Sequence, residues 1–435
     1  MTRWMTVVLA ATTLVFACGE DEKLGGSGGG AGLAGASGSG GGAGTATGGA
    51  AGSSGDAATG GSDAGDAAAG ASALLVAGTD FFSETEVAWV DLATLKVLGR
   101  VTLSDGDAVP VASSGRGFVL SRTTSQVVTM DSSGNSDKTI SVDRAAISES
   151  GTAPTNPSRL VATSTNSAWV TLYDANRIAK LDLAAGSVSK TVDLSSYLDA
   201  GDGDGAVDVD NAVLDAVSGR LYFTVARIDR TTVAAPDFQL ACPTTPALLM
   251  ALDVATDAIV DLNGSDAGDG VALSLQNPVD MVLDADGGRL VILHAGCFAA
   301  ADAGKSRVAY GVEAVPLGTL TPASLLSPTS GDFLSRLLLL ASDSAVIDRF
   351  DTNFSEFWSL WKPSNSSLGS DLSGVPGAAI VEDADHLLGV SIEAAEAGTS
   401  ARVQRYTVST QTATTLVDGP WLKSYDFAAG NALVR

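Results

Sequence analysis

The chain has 435 residues, 45% of them hydrophobic, and its 50 acidic against 25 basic residues give a net charge of −25. The apolar fraction suffices for a sizeable core. The acidic excess, with no basic stripe, argues against nucleic acid or an anionic lipid surface as partner.

Residues 1–6 carry Arg3, and 7–17 form an apolar run. That run is too short for a bilayer span, which needs about 20 residues. Residues 1–17 therefore read as a signal peptide. Their end, Val15-Phe16-Ala17-Cys18, resembles the lipobox of bacterial lipoproteins, with Phe16 bulkier than the usual small residue. The resemblance implies cleavage before Cys18 and acylation of its sulfur, and two or more acyl chains give stable anchoring. Gly19 in place of Asp implies the outer membrane in a Gram-negative cell. An ordinary secretory signal with an incidental cysteine is the alternative. Residues 18–72 are almost wholly Gly, Ala, Ser, Thr and Asp after the first few positions, and bury too little to order themselves. They are expected to be a disordered tether reaching about 40 Å.

From residue 73 to the C-terminus the pattern is all-β. One phrase recurs: 277–284 (Asn-Pro-Val-Asp-Met-Val-Leu-Asp), a Gly-containing turn, then 290–293 (Leu-Val-Ile-Leu). Copies run over 207–225 and, more loosely, 156–171. A strand repeat of roughly 40 to 50 residues predicts a propeller, whose blades cannot bury their faces alone. Units are read at 73–103, 110–143, 156–194, 207–262, 277–326, 337–361 and 377–417. The tail, 424–434, repeats a blade's opening phrase, which the first unit lacks. Seven blades closed by the C-terminal strand follow, in a single domain spanning 73–435. The aspartates after third strands, Asp91, Asp182 and Asp253, read as turn formers.

The phrase 168–194 (Ala-Trp-Val-Thr … Asn-Arg-Ile-Ala-Lys-Leu-Asp-Leu-Ala-Ala-Gly … Val-Asp-Leu), with Asn277-Pro278, resembles bacterial seven-bladed propellers of the lactonase-like and quinoprotein-like group. The resemblance is strongest in units three to five and carries no catalytic motif.

Propeller topology puts the loop between strands two and three, and the link between blades, on one face, here called the top. Insertions at about 230–246 and 294–305 both fall there, on blades four and five. They hold Cys242 and Cys297, expected to pair, as an exported compartment permits. The entropic model values such a cross-link at about 4 kcal/mol. The links into the same blades carry Asp202, Asp204 and Asp208, and Asp266 and Asp269. Solvated acidic loops are one reading. The other is a Ca²⁺ site, since a hard cation needs several oxygens on a chain that can wrap. Asp199, Asp210 and His294 are further candidates for the binding face, and His294, where the second strand meets its insertion, reads first as a packed loop-base residue. With His294 and His386 the only histidines, a His-based metal centre or a Ser-His-Asp triad is poorly supplied. Phe354, Phe357, Trp358 and Trp361 read as core filling, with an exposed patch or a short helix as alternatives.

The expected protein is thus a monomeric, lipid-anchored envelope protein that binds a ligand or protein partner and is more plausibly not an enzyme. A Ca²⁺-dependent lactonase-like hydrolase and a structural scaffold in an envelope complex are the alternatives.

Overall fold

The computed structural model describes residues 73–434 except 81, 202, 232, 235–238, 265–269, 299–306, 329–331, 352–354, 396–397 and 423–426. The signal peptide, Cys18 and the tether lie outside the described residues, as does Phe354.

Seven four-position antiparallel sheets follow one another. Blade one takes Ala73–Thr79, Thr85–Asp91 and Lys96–Leu103 from the start of the domain and its innermost strand, Phe427–Val434, from the end. Blades two and three begin with inner strands Ala108–Ser113 and Pro157–Ser164. Blade four holds Val209–Asp215, Arg220–Val225 and Leu248–Asp253. Its outer position is split between Ala258–Ile259 and Val271–Ala272, both paired to the third strand. Blade five runs through Pro278–Asp284, Arg289–His294, Gly311–Pro316 and Ala323–Leu326. Blade six starts at Phe333–Ala341 and continues with Ser344–Phe350, and blade seven opens with the short Ile380–Val381. Inner strands of successive blades touch in sequence, and those of blades seven, one and two close the circuit.

The burial pattern explains the composition. Each sheet lies between two others, so its inner strands are covered on both faces and read as unbroken apolar runs, such as Leu74–Ala77 and Leu290–Leu293. Successive side chains point to opposite faces. Leu74 and Val76 accordingly join the cluster shared with blade seven, while Leu75 and Ala77 join the cluster shared with blade two. Seven such clusters occur, one at each interface between blades. The fourth strands are the more exposed ones, and in Lys96–Leu103 exposed and half-buried residues take turns. Trp358 and Trp361 are core, and Glu356–Trp361 is a strand, not a helix.

The bottom face is closed by short turns. Asp91, Asp182 and Asp253 each accept two backbone N–H groups of the turn that follows, at 2.8 to 3.2 Å. The recurrent opening phrase has its own logic. Asn156, Asp208 and Asn277 adopt left-handed φ values of 51°, 53° and 54°, which Asn and Asp tolerate best among residues with a side chain. Each carbonyl then accepts the N–H that follows its blade's second strand.

Ring closure rests on the register of Ala73–Thr79 against Phe427–Val434, from Ala73↔Val434 to Thr79↔Phe427. Deleting residues 427–435 strips blade one of its inner strand and removes Ala432 and Val434 from the cluster between blades one and two. The truncated protein is expected to lose its cooperative thermal transition, followed by circular dichroism. A melt indistinguishable from the full chain's contradicts the closure.

Candidate functional site

The two insertions meet on the top face of blades four and five. Cys242 and Cys297 form a disulfide, with Cα atoms 4.9 Å apart. The chain around it is paired too: Ala241 bridges Phe298, and the Cys242 N–H donates to the Phe298 carbonyl at 3.1 Å. The expectation that topology gathers both cysteines onto one face therefore holds.

The acidic link into blade four is organised by an arginine. Arg230, at the start of the blade-four insertion, places Nε 2.8 Å from Asp204 Oδ2 and Nη2 3.2 Å from Asp208 Oδ1, and Nη1 pairs with Asp174. Its guanidinium stacks 4.9 Å over the Tyr173 ring. Asp208 is fully buried, and its Oδ2 accepts the Ile228 N–H at 2.7 Å. Burial alone would lower the Arg230 pKa. The charges of Tyr173, Asp208, Asp174 and Asp204 more than reverse that and hold it raised. Burial, then the Asp208 charge, push the Tyr173 hydroxyl well above its usual value.

This arrangement bears on the Ca²⁺ reading. Asp204 and Asp208 already share a cation of the protein's own. Asp202, Asp266 and Asp269 lie outside the described residues. The described ends of the second acidic loop, Asn263 and Gly270, are joined at 2.8 Å between the two outer pieces of blade four. Asp208 instead precedes that blade's inner strand. The two loops thus spring from opposite edges of one sheet.

The other sequence-selected residues separate. Asp199 accepts the Thr244 and Thr245 hydroxyls, both at 3.1 Å, tying the link to the insertion. Burial raises its pKa, but the Gly201 N–H and those hydroxyls outweigh burial, so the carboxyl is lowered overall. Asp210 is buried on the inner strand, where its carbonyl accepts the Ser158 and Thr171 hydroxyls. His294 is fully buried and does not reach the exposed face. Its Nε2 lies 2.8 Å from Glu313 Oε1, also fully buried, and the Ser274 N–H donates to Glu313 Oε2 at 3.0 Å.

Sequence reasoning missed a polar belt around the central channel. Inner strands of blades three to six each carry a β-bulge, at Pro157/Arg159, Val209/Ala212, Pro278/Asp280 and Leu334/Arg336. A bulge re-aims a side chain, and here the freed groups stitch one blade to the next. The Ser158 hydroxyl donates to the Val209 carbonyl, Asn211 Nδ2 donates to the Pro278 carbonyl, and the Leu337 N–H donates to Asp280 Oδ2. Arg159 spans the set, donating to Asn211 Oδ1 at 3.3 Å and lying 3.9 Å from Asp280 Oδ1. The signal was a charged or amide residue inside an otherwise buried strand. In blade six, Asp348 accepts the Ser335 hydroxyl at 2.6 Å. Burial, then the Glu356 charge, push its carboxyl up to about 7 against the pull of Ser335 and Arg336.

A cleft of about 320 Å³ lies beside the link from blade two to blade three, lined by Thr123, Ser125, Asp143, Arg144, Gly151 and Pro154 among others. Arg144 is committed there, to Glu149 at 3.3 Å and to the Ala153 carbonyl at 3.1 Å.

No protein-family model matches the sequence, and neither does any curated protein. Solved structures match the fold. A hypothetical selenium-binding protein from Sulfolobus tokodaii aligns at 10% identity with a TM-score of 0.51, covering 84% of this chain and 94% of that one. A candidate 6-phosphogluconolactonase of Bacteroides fragilis aligns at 10% identity with a TM-score of 0.50, covering 84% and 98%. At that identity the likeness is one of fold.

Replacing Arg230 with Met leaves the buried Asp208 charge without its cation, and a broken buried pair costs about 3 to 5 kcal/mol. Chemical denaturation is expected to show a loss of that order, partly restored when Asp208→Asn is added. A neutral Arg230→Met shows the cluster to be slack. Asp348 sets a pH dependence. Its folded-state value, about 7, lies above the ordinary 3.8, so the native state holds a proton that the unfolded chain releases. That contribution is full below about 3.8 and is lost as pH rises through 7. Asp348→Asn, which keeps a Ser335 partner, is expected to be more stable than the parent at pH 8, by a margin that shrinks at pH 5. Parallel stability curves count against it.

Proposed function

We propose that this is a cell-envelope lipoprotein, held by acylated Cys18 to the outer membrane or cell surface, whose monomeric propeller binds a ligand or protein partner through its top face without catalysing a reaction. The lipobox-like 15–18 segment supports the anchor, and a disulfide suits an exported chain. The observation that carries the binding reading is the Cys242–Cys297 cross-link between insertions of adjacent blades. Ordering long loops before a partner arrives removes an entropic cost from binding. Nothing comparable occurs among the described turns of the bottom face. A Ca²⁺-dependent lactonase-like hydrolase would need carboxylates converging without a resident cation, and Asp204 and Asp208 are held by Arg230.

Two measurements test this. Cys18→Ala is expected to move the protein from the membrane to the soluble fraction, and unchanged fractionation overturns the anchor. A photo-reactive side chain placed at the exposed top-face Thr244 is expected to capture a partner in cells. The same group at Val217, 98% exposed on a bottom turn, is expected to capture nothing. Cross-links from Val217 and none from Thr244 overturn the binding face.

A further inference from the structure

Most half-buried arginines of this acidic chain hold a carboxylate. Arg144 pairs with Glu149, Arg289 with Asp284, Arg349 with Asp332 and Asp371, and Arg405 with Glu382. Arg307 departs from this habit. It lies on the returning strand of the blade-five insertion, paired through Phe298 to the disulfide arm. Its guanidinium lies against two rings, 4.7 Å from the Phe298 centroid and 4.9 Å from that of Phe333. One N–H donates to the Ala295 carbonyl at 2.9 Å. Among the described residues no carboxylate reaches it. Asp332, beside Phe333 in the chain, is taken by Arg349, and Glu313 is buried against His294. Burial draws the Arg307 pKa down to about 10, with only the Tyr310 phenol opposing.

The geometry limits what can pair with this guanidinium. A guanidinium has five N–H donors, all in its plane. Two aromatic rings pack against Arg307, and its in-plane N–H edge is what it offers to a polar partner. The in-plane fork matches the two oxygens of a carboxylate. The rings hold the guanidinium by cation–π attraction, so little freedom is lost on binding.

We propose that Arg307 is the anchor of a carboxylate-binding site on the top face of blade five, with Phe298 and Phe333 as its walls. This rests on the binding-face reading and gives it a ligand chemistry: a planar carboxylate, borne by a small organic acid or by an acidic peptide. The test uses the full chain carrying Cys18→Ala, with benzoate and a blocked Glu-containing peptide as probes and benzyl alcohol as neutral control. Ligand-observed NMR is expected to show benzoate binding that weakens with salt and no benzyl alcohol binding. Arg307→Gln is expected to weaken benzoate by about tenfold or more, and Arg307→Lys, which keeps charge but not the fork, by less. Tighter binding of the peptide than of benzoate assigns the site to a protein partner, and the reverse order to a small acid. The melting temperature of Arg307→Gln should fall only slightly, by the ring contacts and the Ala295 hydrogen bond, and well short of the loss from Arg230→Met. Absence of both acidic probes from the parent protein overturns the proposal, as does unchanged binding to Arg307→Gln. Cross-linking from Thr244 keeps the two readings apart: if it persists while both probes fail, the face binds something other than a carboxylate.

Discussion

Everything in this fold depends on sheets covering sheets. A four-stranded blade has two apolar faces and no helix to bury either, so each blade is stable only between two neighbours. The seven clusters at the seven interfaces are the physical form of that dependence, with alternate residues of one strand serving alternate neighbours. A row of such sheets would leave two bare ends. The C-terminal strand removes them by pairing with the first strand of the domain. The result is a scaffold in which a loop on one blade keeps a fixed relation to a loop on the next.

The inner strands meet a second constraint. Seven of them converge around the axis, where backbone groups at the rim need partners as well as packing. The four consecutive bulges answer it by turning Ser158, Asn211 and Asp280 toward the backbone of the following blade. Arg159 then offsets the charge of Asp280. Charged groups inside a channel invite a catalytic reading, but these spend their capacity on one another and on the neighbouring main chain. The belt is therefore better understood as the seam of the ring.

The propeller was legible because its signal is periodic: apolar alternation, Gly-containing turns, and an Asn or Asp opening each of blades three to five. The left-handed φ at Asn156, Asp208 and Asn277 shows why that opening residue recurs. The disulfide was legible because topology alone fixes which face an insertion joins. Side-chain partnership was not legible. Asp204 and Asp208 are as acidic in sequence as any cation ligand, and only folding reveals Arg230, across the blade-four loop, between them. His294 stood at the base of an insertion, yet the strand carries one position further and draws it under the sheet against Glu313. Arg307 had no local signal at all. Its aromatic walls come from two places in sequence, Phe298 and Phe333, and from two blades.

The two faces of the ring invest differently, and that asymmetry bears most on function. The described bottom turns are short and self-satisfied, an aspartate capping its own loop in blade after blade. The top carries the insertions, the cross-link and the arginines of both kinds. Arg230 is saturated by three carboxylates and serves to nail an insertion to the link beside it. Arg307 is held instead by two rings and one backbone carbonyl, and among the described residues no carboxylate neutralises it. Hydrocarbon fixes a cation in place without meeting its in-plane donors, so those donors are what this side chain offers to an acceptor from outside the fold.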